Sequence, residues 1–124
     1  DQIKQSLEGI KGAKTKLKTL IGRLIHLYIT NRVFAKIILL EVRNFPGYFE
    51  SETYEKAKEY SRLILDLIKE GMKKGEIRDD VSPSSFRQVI LGGMEHLILP
   101  AIIFNLEVDP DSLSDDLFKI IFHE

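Results

Sequence analysis

The sequence predicts an all-α fold, a bundle of six helices. Apolar residues recur at three- and four-residue spacing in six separate stretches. No stretch of useful length alternates apolar and polar residues, and there is no Asn-Gly or Asp-Gly hairpin turn. The connections between the periodic stretches are short and carry helix stop and start residues.

Ile3, Leu7 and Ile10 form the first face, and Gly9 and Gly12 punctuate its end. The chain opens at Asp1 without a cap for this helix, so a piece of a longer protein is expected. Thr15 is the expected cap of the second helix, whose face is Leu17, Leu20, Ile21, Leu24, Ile25 and Tyr28. After a break at Thr30-Asn31, a third helix carries Phe34, Ile37, Ile38 and Val42 and stops before Pro46-Gly47.

The fourth helix is the longest, with Ser51 as N-cap and Glu52 and Glu55 at the positive end of its dipole. Its face runs Tyr54, Ala57, Tyr60, Ser61, Ile64, Leu67, Ile68 and Gly71. At the usual rise per residue this helix is roughly 33 Å long. Lys73 and Lys74 lie in the last turn, Gly75 suits the left-handed position, and Ile77 is expected to fold back onto the helix. Ser82 and Pro83 start the fifth helix. Its second half, Leu97 to Phe104, is apolar on every side, and Pro100 should kink it or shift its hydrogen bonds. A small domain can bury such a helix on all sides only against a second subunit. Asp109, Pro110 and Ser112 open the sixth helix, striped by Leu113, Leu117, Ile120 and Ile121 and widened by Phe118 and Phe122.

Bulk properties narrow the function. A length of 124 residues fits a single domain, 1–124. With 44% apolar and 30% charged residues, the chain is globular. The most apolar stretch, Leu97 to Leu106, is broken by Pro100 and Asn105, so no membrane span and no signal peptide are expected. The absence of cysteine excludes disulfides and thiolate chemistry and is compatible with the cytoplasm. Residues 1–43 carry nine Lys or Arg against three Asp or Glu, while the remainder is acidic. The simplest reading of that asymmetry is a solvated lysine face, with Lys11, Lys14 and Lys18 at helical spacing.

No catalytic or metal constellation emerges. His26, His96 and His123 fall on three different helices. The adjacent pair Glu95-His96 points about 100° apart on a helix. Gly92-Gly93 lies inside a helix, which suggests close helix approach rather than a phosphate cradle. An enzyme, a metal and a cofactor are therefore not expected.

Aromatic residues collect on and between the second, third and fourth helices: Tyr28, Phe34, Phe45, Tyr48, Phe49, Tyr54 and Tyr60. Such a stripe is more often core than pocket, but here His26, Arg32, Arg43 and Asn44 accompany it. An apolar cavity with a few convergent polar groups is the usual form of a small-molecule site. The candidate ligand-binding set is His26, Tyr28, Phe34, Ile38, Arg43, Asn44, Phe45, Tyr60 and Ile64, with Arg43 suited to an anionic group on the ligand.

Three segments carry a family resemblance: Leu40-Glu41-Val42-Arg43-Asn44; the run from Ile68-Lys69-Glu70-Gly71 through Gly75-Glu76-Ile77-Arg78-Asp79-Asp80 and Ser82-Pro83; and Ile90-Leu91-Gly92-Gly93-Met94. Their order and spacing resemble the C-terminal domain of TetR/AcrR transcriptional regulators over essentially the whole chain. The resemblance implies a ligand pocket among the first several helices. It also implies that the last two helices form a four-helix bundle with those of a second copy. Residues matching the dimer role are Val89, Gly93, His96, Leu97, Pro100, Phe104, Leu113, Leu117, Phe118 and Ile121. A regulator of this type, by expectation a repressor, meets operator DNA through an N-terminal helix-turn-helix domain, expected upstream of this chain. "L-E-x-R" at Leu40 to Arg43 is similar to the branch that senses fatty acyl-CoA, so an apolar effector of that kind is expected. The alternative is a helical dimerisation or protein-interaction module with no small-molecule ligand.

Overall fold

The computed structural model describes residues 2–41, 47 and 50–123. Six α-helices follow one another: α1 (Gln2–Gln5), α2 (Ala13–Thr30), α3 (Arg32–Lys36), α4 (Glu52–Lys73), α5 (Pro83–Phe104) and α6 (Pro110–Phe122), with no strand among the described residues. A π-helical turn, Ile37–Glu41, continues α3.

α2 is the central post, in contact with all five other helices. Its face Leu17, Leu20, Ile21 and Ile25 is wholly buried, against Ile64 and Ile68 of α4 and Ile98 of α5 in one apolar core. α1 is shorter than the sequence face suggested. Gly9 at φ 83° and Gly12 at φ 92° turn the chain back before α2, in a region that glycine enters without steric cost. The cap expected from Thr15 is not used. Gly12 is the N-cap of α2, and Glu76 Oε1 accepts the Lys14 amide at 3.0 Å in place of a local side chain.

The end of α4 follows its sequence signals. Glu76 N–H donates to Gly71 O and Gly75 N–H to Met72 O, with Gly75 at φ 77°. That pattern is a Schellman stop. Ser51, Ser82 and Asp109 each cap the helix that follows them.

α5 continues through Pro100 as one helix, as its sequence face to Phe104 requires. It is also the one helix among the described residues long and apolar enough to cross a membrane. It instead packs on α2, α3, α4 and α6. Only 33% of its most apolar window is buried, so a long apolar side of α5 remains uncovered.

Arg32 ties two helix ends together. Its Nε donates to Ile29 O at the end of α2, and its Nη1 donates to Ala101 O and Asn105 Oδ1 at the end of α5. A cation at two carbonyl-rich helix termini interacts favourably with the negative ends of both dipoles.

Candidate functional site

Two features stand out: an apolar cavity among α2, α3, α4 and α5, and the uncovered side of α5 and α6. The cavity has two lobes, about 270 Å³ and about 280 Å³, which share the wall Leu24, Tyr28, Ile38, Ala57 and Tyr60. The first lobe adds Leu27, Phe34, Glu52 and Lys56, and the second adds Tyr54, Lys58, Ser61, Ile64, Leu91, Met94 and Glu95. Each lobe alone falls just short of the ~300 Å³ at which ligand pockets begin. The shared wall makes them one groove. Phe34 and Ala57 are exposed, so the groove opens to solvent between α3 and α4.

Local structure explains the lining. Ala57, Tyr60 or Ser61, and Ile64 recur along one side of α4, and Leu24 and Tyr28 along one side of α2. The Tyr28 and Phe34 rings stack with centroids 6.3 Å apart, within the range of favourable aromatic pairs. Burial pushes the Tyr60 hydroxyl pKa up, and Glu59 beside it pushes the same way. Tyr60 therefore stays a neutral donor and acceptor. Lys56 and Lys58 bring positive charge, and Glu52 and Glu95 negative charge, to a groove whose walls are otherwise largely apolar.

Of the residues expected to bind a ligand, Tyr28, Phe34, Ile38, Tyr60 and Ile64 line the groove. Arg43, Asn44 and Phe45 lie outside the described residues. His26 does not reach it: two positions from both Leu24 and Tyr28, it points to the other side of α2. There its Nε2 lies 2.7 Å from Asp111 Oδ1 in the first turn of α6. Sequence reasoning missed Leu24, Leu27, Leu91 and Met94, which follow core periodicity and carry no mark that distinguishes a groove wall from a core.

The second feature is a stripe of exposed residues on α5: Val89, Gly92, His96, Pro100, Ile103 and Phe104. Val89 is 61% and Phe104 69% exposed, and Ile120 of α6 is 69% exposed beside them. A cleft of about 260 Å³ lined by Val81, Phe86, Val89, Ile120 and Ile121 continues this face, with Arg78, Ser85 and His123 also on its lining. Packing within the chain divides the expected interface set. Leu117 is 3% exposed, and a Cβ on Gly93 would stand 3.0 Å from Leu117 Cδ1, so these two residues join α5 to α6 internally. Lys18 covers Phe118 at 5.5 Å, and Lys14 covers Phe122 at 5.0 Å. Those lysines therefore shield aromatic rings rather than standing free in water. Leu97, Leu113, Phe118 and Ile121 are partly buried against the core. Ile103 and Ile120 present the exposed surface instead.

Among the described residues no three His, Asp or Glu side chains converge as metal ligands.

A helical bundle with an open apolar groove and a bare apolar face has the architecture of a regulatory domain. The family model for the C-terminal region of YsiA-like proteins, a TetR-type domain, matches residues 1–124, and the chain belongs to that family. The fatty acid metabolism regulator protein of Bacillus subtilis (strain 168) is 21% identical over 121 residues, which cover 98% of this chain and 62% of that protein. The crystal structure of the transcriptional regulator FadR from Bacillus subtilis in complex with stearoyl-CoA matches with a TM-score of 0.83 and 21% identity, over 98% of this chain and 65% of that chain. The chain thus spans less than two thirds of each relative.

Proposed function

We propose that this chain is the effector-sensing and dimerisation domain of a transcriptional repressor, and that its effector is a long-chain acyl thioester such as a fatty acyl-CoA. The observation that carries the reading is the groove, whose largely apolar walls suit an acyl chain. Its support from outside the chain is the stearoyl-CoA named with a protein of the same fold. Tyr28, Phe34, Ile38, Tyr60 and Ile64 contact the acyl chain in this reading, and Arg43, Asn44 and Phe45 remain candidates beside them.

The exposed stripe of α5 with Ile120 of α6 is the homodimer surface, where two copies form a four-helix bundle. Operator DNA is met by a part of the protein that this chain does not span, and the setting is the cytoplasm. Ligand binding shifts the population between two separations of the DNA-reading parts. Half-sites one turn apart lie at ~34–36 Å, so a displacement of a few Å weakens operator binding. Neither a catalytic step nor a membrane contact is part of this reading.

The test is native mass spectrometry of the purified chain, followed by titration with stearoyl-CoA. A dimer that binds the thioester, and loses at least tenfold in affinity on Ala57→Phe at the groove mouth, is expected. A folded dimer indifferent to stearoyl-CoA, free stearate and shorter thioesters would sink the sensor reading and leave an interaction module.

A further inference from the structure

The amino end of α2 has no side-chain cap of its own, because the N-cap residue is Gly12. The acceptor comes from 62 residues away: Glu76 Oε1 takes the Lys14 N–H at 3.0 Å. Lys14 is the second helical residue, where an N-cap side chain normally acts, and a carboxylate there also meets the positive end of the dipole.

Glu76 is itself held by the stop of α4. Its N–H donates to Gly71 O at 2.8 Å, and the next residue, Ile77, is 5% exposed and packs on Gly71. The Glu70 carboxylate, one position before Gly71, feels the Lys16 charge from α2 as a minor influence after Lys74. A Cβ on Gly12 would stand 3.4 Å from Glu76 Oε1, an ordinary contact, so glycine is favoured there by its φ of 92° rather than by space. Upstream, the α4 residues Tyr60 and Ile64 wall the groove. The helix runs uninterrupted from Tyr60 to Gly71, a distance of roughly 17 Å at the usual rise per residue. Downstream, α2 begins at the joint where Gly9 and Gly12 reverse the chain.

We propose that Glu76 is a positioning residue that locks the first turn of α2 to the end of α4, and that through it the state of the groove sets the Gly9–Gly12 joint. The groove part rests on the ligand reading above; the lock does not. A shift of α4 along its axis carries Gly71, Gly75 and Glu76 as one unit, and the Lys14 amide follows the carboxylate. Without the carboxylate, the Glu76–Lys14 hydrogen bond is lost while the apolar core that includes Leu17 and Ile68 remains.

The test uses the full 124-residue chain and amide hydrogen exchange. Glu76→Ala should speed exchange at Lys14 by about 2- to 30-fold, the span that loss of one helix cap gives. Leu20 and Ile21 in the core should keep their rates. Glu76→Gln keeps a neutral acceptor and should restore Lys14 to within about threefold of wild type. Gly75→Ala strains the stop of α4 at an open position and should also speed Lys14. In the Glu76→Ala background it should add nothing at that amide, which is the coupling a double-mutant cycle reads. A Gly75→Ala effect that persists in full there would overturn the lock.

Stearoyl-CoA then tests the groove part. It should alter Lys14 exchange in wild type and not in Glu76→Ala, at equal affinity for both. Binding that leaves wild-type Lys14 unchanged overturns the link from groove to joint. Failure of wild type to bind refutes the ligand reading, and the link with it, and the cycle still decides the lock.

Discussion

Gly71 and Ile77 occupy the same small volume at the end of α4: a Cβ on Gly71 would stand 2.5 Å from Ile77 Cδ1 and 2.9 Å from its Cγ1. The glycine is helical and buried, so its role here is space rather than backbone freedom. Alanine in a helix interior gains up to about 1 kcal/mol over glycine, but overpacking costs about 1–3 kcal/mol. Gly71→Ala is expected to lose about 1 kcal/mol net in urea unfolding. Ile77→Val removes Cδ1, so the double variant should be more stable than the sum of the two single losses predicts.

Gly92 gives the contrasting case. It lies inside α5, and nothing stands within 4 Å of an added Cβ. Within one chain, Gly92→Ala should therefore gain about 0.5–1 kcal/mol from helix propensity alone. Gly92 also lies on the exposed stripe, where a second copy would approach closely. Chain stability measured at high dilution should rise while the dimer dissociation constant worsens. Chain stability and dimer affinity rising together would argue against the stripe as the interface.

Helix order, the caps Ser51 and Ser82, the start of the sixth helix at Asp109-Pro110, and the stop at Gly75 and Ile77 were all legible, because each depends on residues within one or two turns. The cap of α2 was not, because its acceptor is Glu76, remote in sequence and close only after folding. Groove residues were half legible. Tyr28, Tyr60 and Ile64 share a periodicity with the core, and only the packing of α3 against α2 decides which of them face an opening. His26 was assigned by company rather than by angle. It stands two residues from Tyr28, which on a helix is nearly the opposite side. On α6 the stripe Leu113, Leu117, Ile121 was visible, but its burial by α2 and α5 was not.

Arg32 binds carbonyls at the ends of α2 and α5 at 3.2 Å and 3.3 Å. Arg32→Ala removes both, together with the contact to Asn105. Hydrogen bonds from a charged group are worth about 1.5–3 kcal/mol each, and partial solvent access lowers that. A loss of about 1–3 kcal/mol in total is expected by urea unfolding. Arg32→Lys should recover less than half, because one ammonium cannot span two helix ends with the guanidinium geometry. Full recovery by lysine would mean that charge alone matters here.

Lys4 and Glu59 pair α1 to α4. The hydrogen bond from Lys4 holds the Glu59 carboxyl below its usual 4.5, with burial opposing and Lys4, Lys56 and Arg62 adding attraction. A depressed carboxyl stabilises the docked state above its unfolded pKa and loses that effect as pH falls through the folded value. Docking of α1 should thus be constant from neutral pH down to about 5 and weaken below about 4. Leu7 amide exchange, corrected for intrinsic rates, reads this directly. Glu59→Gln should show the low-pH behaviour already at neutral pH and a flat profile below. A wild-type profile as flat as that of Glu59→Gln would remove the pair from the account.

Val89 on α5 and Ile120 on α6 line one cleft and are 61% and 69% exposed. Covering both removes apolar surface from water at about 25 cal/mol per Å², and burying an unpaired carboxylate in their place costs several kcal/mol. Val89→Asp and Ile120→Asp should each convert a dimer into a monomer at micromolar concentration, with helical circular dichroism unchanged. Val33, 77% exposed on α3 and outside the α5 and α6 stripe, supplies the control. Val33→Asp should leave the sedimentation coefficient as it is. Dissociation by Val33→Asp but not by Val89→Asp would move the interface to α3, and the four-helix arrangement of α5 and α6 would have to be abandoned.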